Sequence, residues 1–176
     1  MAQTTQALSA DPLIRAAGGF AIVAGIIGVF GTVFLILMFV MFATPNQGLG
    51  LTFGMLNDIC VAAQYLLTIP IGLALYRILL PYNPPLIRRA TIIALIMMVA
   101  VIILQLLLVF GVLTFQQQGV WASIAILSVG AWMIICGYVA RETGRMPNSV
   151  LMGWLAAPYL GYPVWAFWLG RILLKW

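Results

Sequence analysis

Few side chains in this sequence are equipped for chemistry, and most of those that are fall inside apolar runs. Asn57, Asp58, Gln64 and Thr68 occupy one such run. Asn57, Gln64 and Thr68 recur at helical spacing and therefore share a face of that helix. A carboxylate with amides and a hydroxyl nearby suits a polar groove or the binding of a polar head group. Gln105, midway along a later run, is the next most deeply placed polar side chain and suits a cavity or a bound head group. A polar group placed among apolar residues is costly, which raises a binding hypothesis for each of these five. Each also has a plainer role: Asp58 at a helix amino terminus, where the dipole favours negative charge, and Gln64, Thr68 and Gln105 in helix-to-helix hydrogen bonds.

The catalytic repertoire is narrow. With no histidine in the chain, imidazole haem ligation, His-type zinc sites and histidine acid-base catalysis are excluded. Asp58 and Glu142 are expected near opposite ends of the molecule and cannot act as a pair. Cys60 and Cys136 lie in separate apolar segments near opposite ends, beyond the ~7 Å between Cα atoms that a disulfide spans, and read as small buried apolar residues. No phosphate-binding loop or activated nucleophile is present. No catalytic residue, metal site or cofactor is expected. A membrane enzyme using Asp58 or Glu142 as an acid or base on a lipid or quinone-like substrate is the weakest reading.

The elements that must position these residues follow from composition. Of the 176 residues 65% are hydrophobic and 6% charged, against roughly a quarter charged in a soluble domain. Too few polar side chains exist to cover a water-facing surface, so lipid is the expected solvent. Apolar segments run over about 18–43, 54–80, 89–115, 120–140 and 149–174, each long enough for the ~20 residues that cross a hydrocarbon core. The breaks between them are Thr44 to Gly48, Pro81 to Pro85, Gln116 to Gly119 and Arg141 to Asn148. Peptide groups in lipid must be satisfied internally, which makes helix the expected form. The fold class is therefore all-α: one integral membrane helical bundle of about five transmembrane helices, spanning 1–176 as a single domain.

The formal charge of +5 reads as topology. Arg15, Arg77, Arg88, Arg89, Arg141 and Arg145 fall on one side if the amino terminus is cytoplasmic, as the positive-inside bias requires. No basic stripe with interleaved aromatics exists outside the membrane, so no nucleic-acid partner is expected. The last segment admits two courses. A single crossing carries Arg171 outward, where it forms a structural ion pair with Asp58. A re-entrant hairpin broken at Pro158, Gly161 and Pro163 keeps Arg171 and Lys175 inside and separates the two. The single crossing is expected, because a hairpin exposes unpaired peptide groups to lipid.

Small residues at four-residue spacing let helix backbones approach closely. Gly25 and Gly28 in the first segment, and Gly153, Ala157 and Gly161 in the last, are the candidate packing positions. Together these features point to a non-enzymatic structural, interaction or accessory subunit. Its expected partners are membrane lipids and other membrane proteins or a second copy of itself. The alternative is a small transporter, channel or lipid-binding protein using the polar face of the second helix. The motif Arg141-Glu142-Thr143-Gly144-Arg145-Met146-Pro147, Trp154, Pro163 to Arg171 and the Leu73 to Arg77 segment resemble bacterial multi-pass membrane proteins of uncharacterised, unassigned function. That resemblance implies a bacterial plasma (inner) membrane location.

Overall fold

A computed structural model of the chain describes residues 11–143 and 161–175. The candidate packing residues Gly153 and Ala157, together with Arg145, Trp154 and Pro158, lie outside them. The described residues form five helices and no strand: α1 Pro12–Phe42, α2 Gln47–Leu79, α3 Pro84–Val109, α4 Phe115–Glu142 and α5 Gly161–Leu173. The first four are long and apolar enough to cross a membrane. The described part of α5, Gly161–Leu173, has 13 residues.

The four long helices all begin earlier than hydropathy suggests: α1 starts at Pro12 and not near Gly18, and in the other three the residues read as breaks are the first turns. α2 starts at Gln47 and not near Gly54. α3 starts at Pro84, with Asn83 as its cap: the Asn83 side chain accepts from the Leu86 N–H, and the two prolines occupy positions that need no N–H. α4 starts at Phe115 under a capping box, in which Gln117 Oε1 accepts from the Thr114 N–H at 2.9 Å and Thr114 Oγ1 accepts from the Gln117 N–H at 3.4 Å. The glutamine run is thus helical. α3 ends before Phe115 because Gly111 turns left-handed at φ 69°, and the N–H groups of Gly111 and Val112 close back on Leu108 and Leu107.

α1 packs along α2, α2 along α3 and α3 along α4, while α5 lies against α1. Beyond Ile14 the buried side of α1 is made of small residues, Ala17, Gly18, Ala21, Ala24, Gly25, Gly28 and Gly31, whereas large apolar side chains such as Phe30, Leu66, Ile96 and Leu127 point outward. Bundles solvated by lipid have this arrangement: an apolar side chain gains nothing by leaving hydrocarbon, so close backbone approach holds the helices together.

The basic residues collect at one end. Arg77, near the end of α2, donates to Asp11, the α1 cap, at 2.7 Å. Arg88 and Arg89 sit just inside α3, and Arg141 in the last turn of α4. α5 runs antiparallel to α1, with Pro163 beside Gly28, Phe167 beside Gly25 and Gly170 against Gly18. Arg171 and Lys175 therefore join Arg15 at the basic end, and the chain both leaves α4 and finishes α5 there.

Candidate functional site

Opposite the basic end, the first turns of α2 lie along the last turns of α1. Gly50 and Gly54 of α2 accept Phe42 and Met38 of α1 on their bare faces: a Cβ at Gly50 would meet the Phe42 ring at 2.7 Å, and one at Gly54 would meet Met38 Sδ at 3.0 Å. Those side chains are thereby fixed as one wall of a cavity of about 760 Å³. Leu108 and Val109 of α3 and Phe115, Ala122 and Ile126 of α4 form the facing wall. Five polar side chains line this otherwise apolar space: Asn57, Asp58, Gln105, Gln118 and Ser123, whose hydroxyl donates to the Gly119 carbonyl at 2.7 Å.

Asn57 and Gln105 are 6% and 3% exposed, and the oxygens Asn57 Oδ1 and Gln105 Oε1 are buried with no hydrogen-bond partner. Asn57 Nδ2 donates to Asp58 Oδ1 at a long 3.5 Å. Among the described residues Asp58 has no cation in reach. Along α2 it stands about 28 Å from Arg77 at ~1.5 Å per residue, and every described Lys and Arg belongs to the far end.

The expected Asp58 to Arg171 ion pair is accordingly not formed. α5 runs toward the basic end, so Arg171, next to Gly170 in its seat on Gly18, lies far from Asp58. Nor does Asp58 cap a helix: α2 begins at Gln47, and Asp58 lies three turns inside it, beyond the first turn in which the helix dipole acts strongly.

The five candidate binding residues divide into two groups. Asn57, Asp58 and Gln105 meet at the cavity. Gln64 and Thr68 share the Asn57 face but lie deeper and serve packing. Gln64 Oε1 rests beside Gly28, 3.1 Å from where a Cβ would stand. The Thr68 hydroxyl donates to the Gln64 carbonyl at 2.7 Å and shares a short hydrogen bond with the Tyr162 hydroxyl of α5. Gly25 and Gly28 are occupied within the chain by Phe167 and Pro163, and Gly161 is buried where α5 begins. Sequence reasoning missed Gln118, because the glutamine run read as a loop; the Thr114 and Gln117 capping-box spacing was the available signal. It also missed Gly18 and Gly170, whose backbones touch.

Comparison of the chain with protein-family models, with curated proteins and with solved structures finds no match.

Proposed function

We propose that this chain is a multi-pass protein of the bacterial plasma membrane that binds a small amphiphilic molecule in the Asp58 cavity and does no chemistry on it. The observation that carries this reading is the pair of buried, unpaired acceptors, Asn57 Oδ1 and Gln105 Oε1, beside a carboxylate that has no counter-cation among the described residues. An orphaned buried polar group costs about 1–3 kcal/mol, and a bundle needing only internal packing gains nothing from two. At about 760 Å³ the cavity falls within the ~300–1,000 Å³ range of small-molecule sites. Its apolar walls suit a hydrocarbon chain and its polar floor a head group.

Two observations favour binding over the other readings. Toward the basic end the bundle axis is filled by Val101, Met98, Ile71 and Trp132, all buried, which suits a one-ended site better than conduction. The small-residue face of α1, the natural seam for a partner helix, is taken up by α5. With the amino terminus cytoplasmic, the cavity opens in the outer half of the bilayer.

The test is native mass spectrometry of the full chain released from mild detergent. A one-to-one amphiphile adduct is expected on the wild type and lost from Ala122→Phe and Ser123→Trp, which fill the cavity from the buried and exposed sides of α4. Equal adducts on the wild type and both folded variants would place binding elsewhere and end the proposal.

A further inference from the structure

We infer that the cavity selects amphiphiles with a primary ammonium head, the charge seated at Asp58 and its N–H groups donated to the amide oxygens of Asn57 and Gln105. The inference rests on the cavity being a binding site and names the chemistry of what it binds.

The argument begins with charge. Among the described residues Asp58 is the one acidic side chain lining the cavity, and the described cations are gathered at the other end of the bundle. A carboxylate at a partly buried site is stabilised by a cation that also donates hydrogen bonds, and such charge-assisted bonds are roughly twice as strong as neutral ones. An anionic head meets repulsion there.

Hydrogen-bond inventory narrows the class. Two amide side chains of the same lining hold buried oxygens without donors: Asn57 Oδ1, which lies toward Gly31 of α1, and Gln105 Oε1. The terminal torsion of an amide side chain is broad and roughly two-fold, so each oxygen can turn toward a donor in the cavity without a change of backbone. A primary ammonium brings three N–H donors, one for each acceptor group. A quaternary ammonium brings the charge and no donor, and leaves both amides as they are.

Shape decides against a bare metal ion. The cavity is far larger than one ion, and most of its lining is hydrocarbon from Leu35, Met38, Phe42, Leu108 and Phe115. That surface suits an alkyl chain running from the head group toward lipid. The same head group occurs on free long-chain amines and on ethanolamine phospholipids.

The test uses the full chain in maltoside micelles, with binding read by thermal shift and native mass spectrometry. The probes are dodecylammonium, dodecyltrimethylammonium and dodecanol. Dodecylammonium is expected to raise Tm and to bind about tenfold more tightly than the quaternary analogue, the scale of one lost hydrogen bond to a charged group. Asp58→Asn should erase that preference; if it fails to fold, Gln105→Leu should still weaken it. Competition by an ethanolamine phospholipid, and none by its choline counterpart, assigns the head group to lipid. Ammonium binding untouched by either phospholipid assigns it to a free amine. Equal binding of both ammonium probes, or an Asp58→Asn variant with undiminished preference, overturns the inference. If dodecanol alone binds and Ala122→Phe blocks it, the ammonium head is wrong while the cavity remains a site. If no probe distinguishes wild type from Ala122→Phe, both fall.

Discussion

At mid-depth this bundle pairs its buried polar groups, and nearer the cavity end it leaves two buried oxygens unpaired. Thr68 and Tyr162 hydrogen-bond each other between α2 and α5, and Trp132 Nε1 donates to Thr91 Oγ1 at 3.1 Å between α4 and α3. Toward the cavity, Asn57 and Gln105 are just as buried yet keep unpaired oxygens. The helices are the same; what differs is the fit between them. Where Gly18 meets Gly170 the backbones touch and α5 closes the seam. Where α1 ends, Phe42 and Met38 fill the glycine faces of α2 and become a wall. A polar group that only joins helices is satisfied by another helix. One left unpaired near a carboxylate is, under the proposed function, a partner for something that arrives from outside.

The largest expected effect lies in the sealed region. A Cβ at Gly170 would stand 2.8 Å from the Gly18 carbonyl oxygen, which is backbone and cannot turn aside. Gly170→Val should therefore push α5 off α1 and destabilise the protein by about 3 kcal/mol, the upper range for overpacking. Thermal unfolding in detergent measures this, with Gly19→Val as the control, since nothing lies within 4 Å of a Cβ there. Equal losses at the two glycines would show that the Gly18 and Gly170 contact does not hold α5.

The next prediction sets the two kinds of polar group against each other. Thr68→Val strands the buried Tyr162 hydroxyl and should cost about 1–2 kcal/mol, with Tyr162→Phe in the same chain recovering part of it. Gln105→Leu removes an acceptor that is already unpaired, so its effect on unfolding should stay within about 0.5 kcal/mol, while amphiphile binding falls. A Gln105→Leu variant as unstable as Thr68→Val would mean that the cavity glutamine is structural, and the contrast would disappear.

Much of this was legible in the sequence, and the rest was hidden for identifiable reasons. Hydropathy located four long helices, since ~20 apolar residues in a row have few other uses. It placed their starts too late, because Pro84, Pro85 and the glutamines after Phe115 are breakers by composition and first-turn residues by geometry. That error concealed Gln118 and put Asp58 at the head of a helix it lies well inside. Helical spacing correctly grouped Asn57, Gln64 and Thr68 on one face, but spacing carries no information on what stands opposite each turn. The cavity faces the first and α1 with α5 faces the others. The course of the last segment was misjudged for a similar reason: the cost of exposed peptide groups favoured a single crossing that carries Arg171 outward, whereas α5 runs back to the basic end, as the positive-inside bias had argued. Contact between Gly18 and Gly170, far apart in the chain, decided the direction of α5.

The smallest effect is expected at the basic end, where a second carboxylate reverses the situation of Asp58. Asp11 lies outside the helices as the α1 cap, and its carboxyl is held below the usual range first by the hydrogen bond from Arg77 and then by the Leu13 N–H at 2.9 Å. A carboxyl whose folded pKa is depressed stabilises the fold above its unfolded value near ~3.9, and loses that contribution as pH falls through the folded value. The Tm difference between wild type and Arg77→Gln should thus be constant from neutral pH down to about 5 and close below about 4. The Arg77 side chain is more than half exposed, so the difference should be small and shrink in ~1 M salt. A gap that survives strong acid would mean that Arg77 acts through its alkyl stem. A gap that closes would establish that this chain pairs a carboxylate with its own arginine where only structure is at stake, which makes the solitary Asp58 harder to explain by structure.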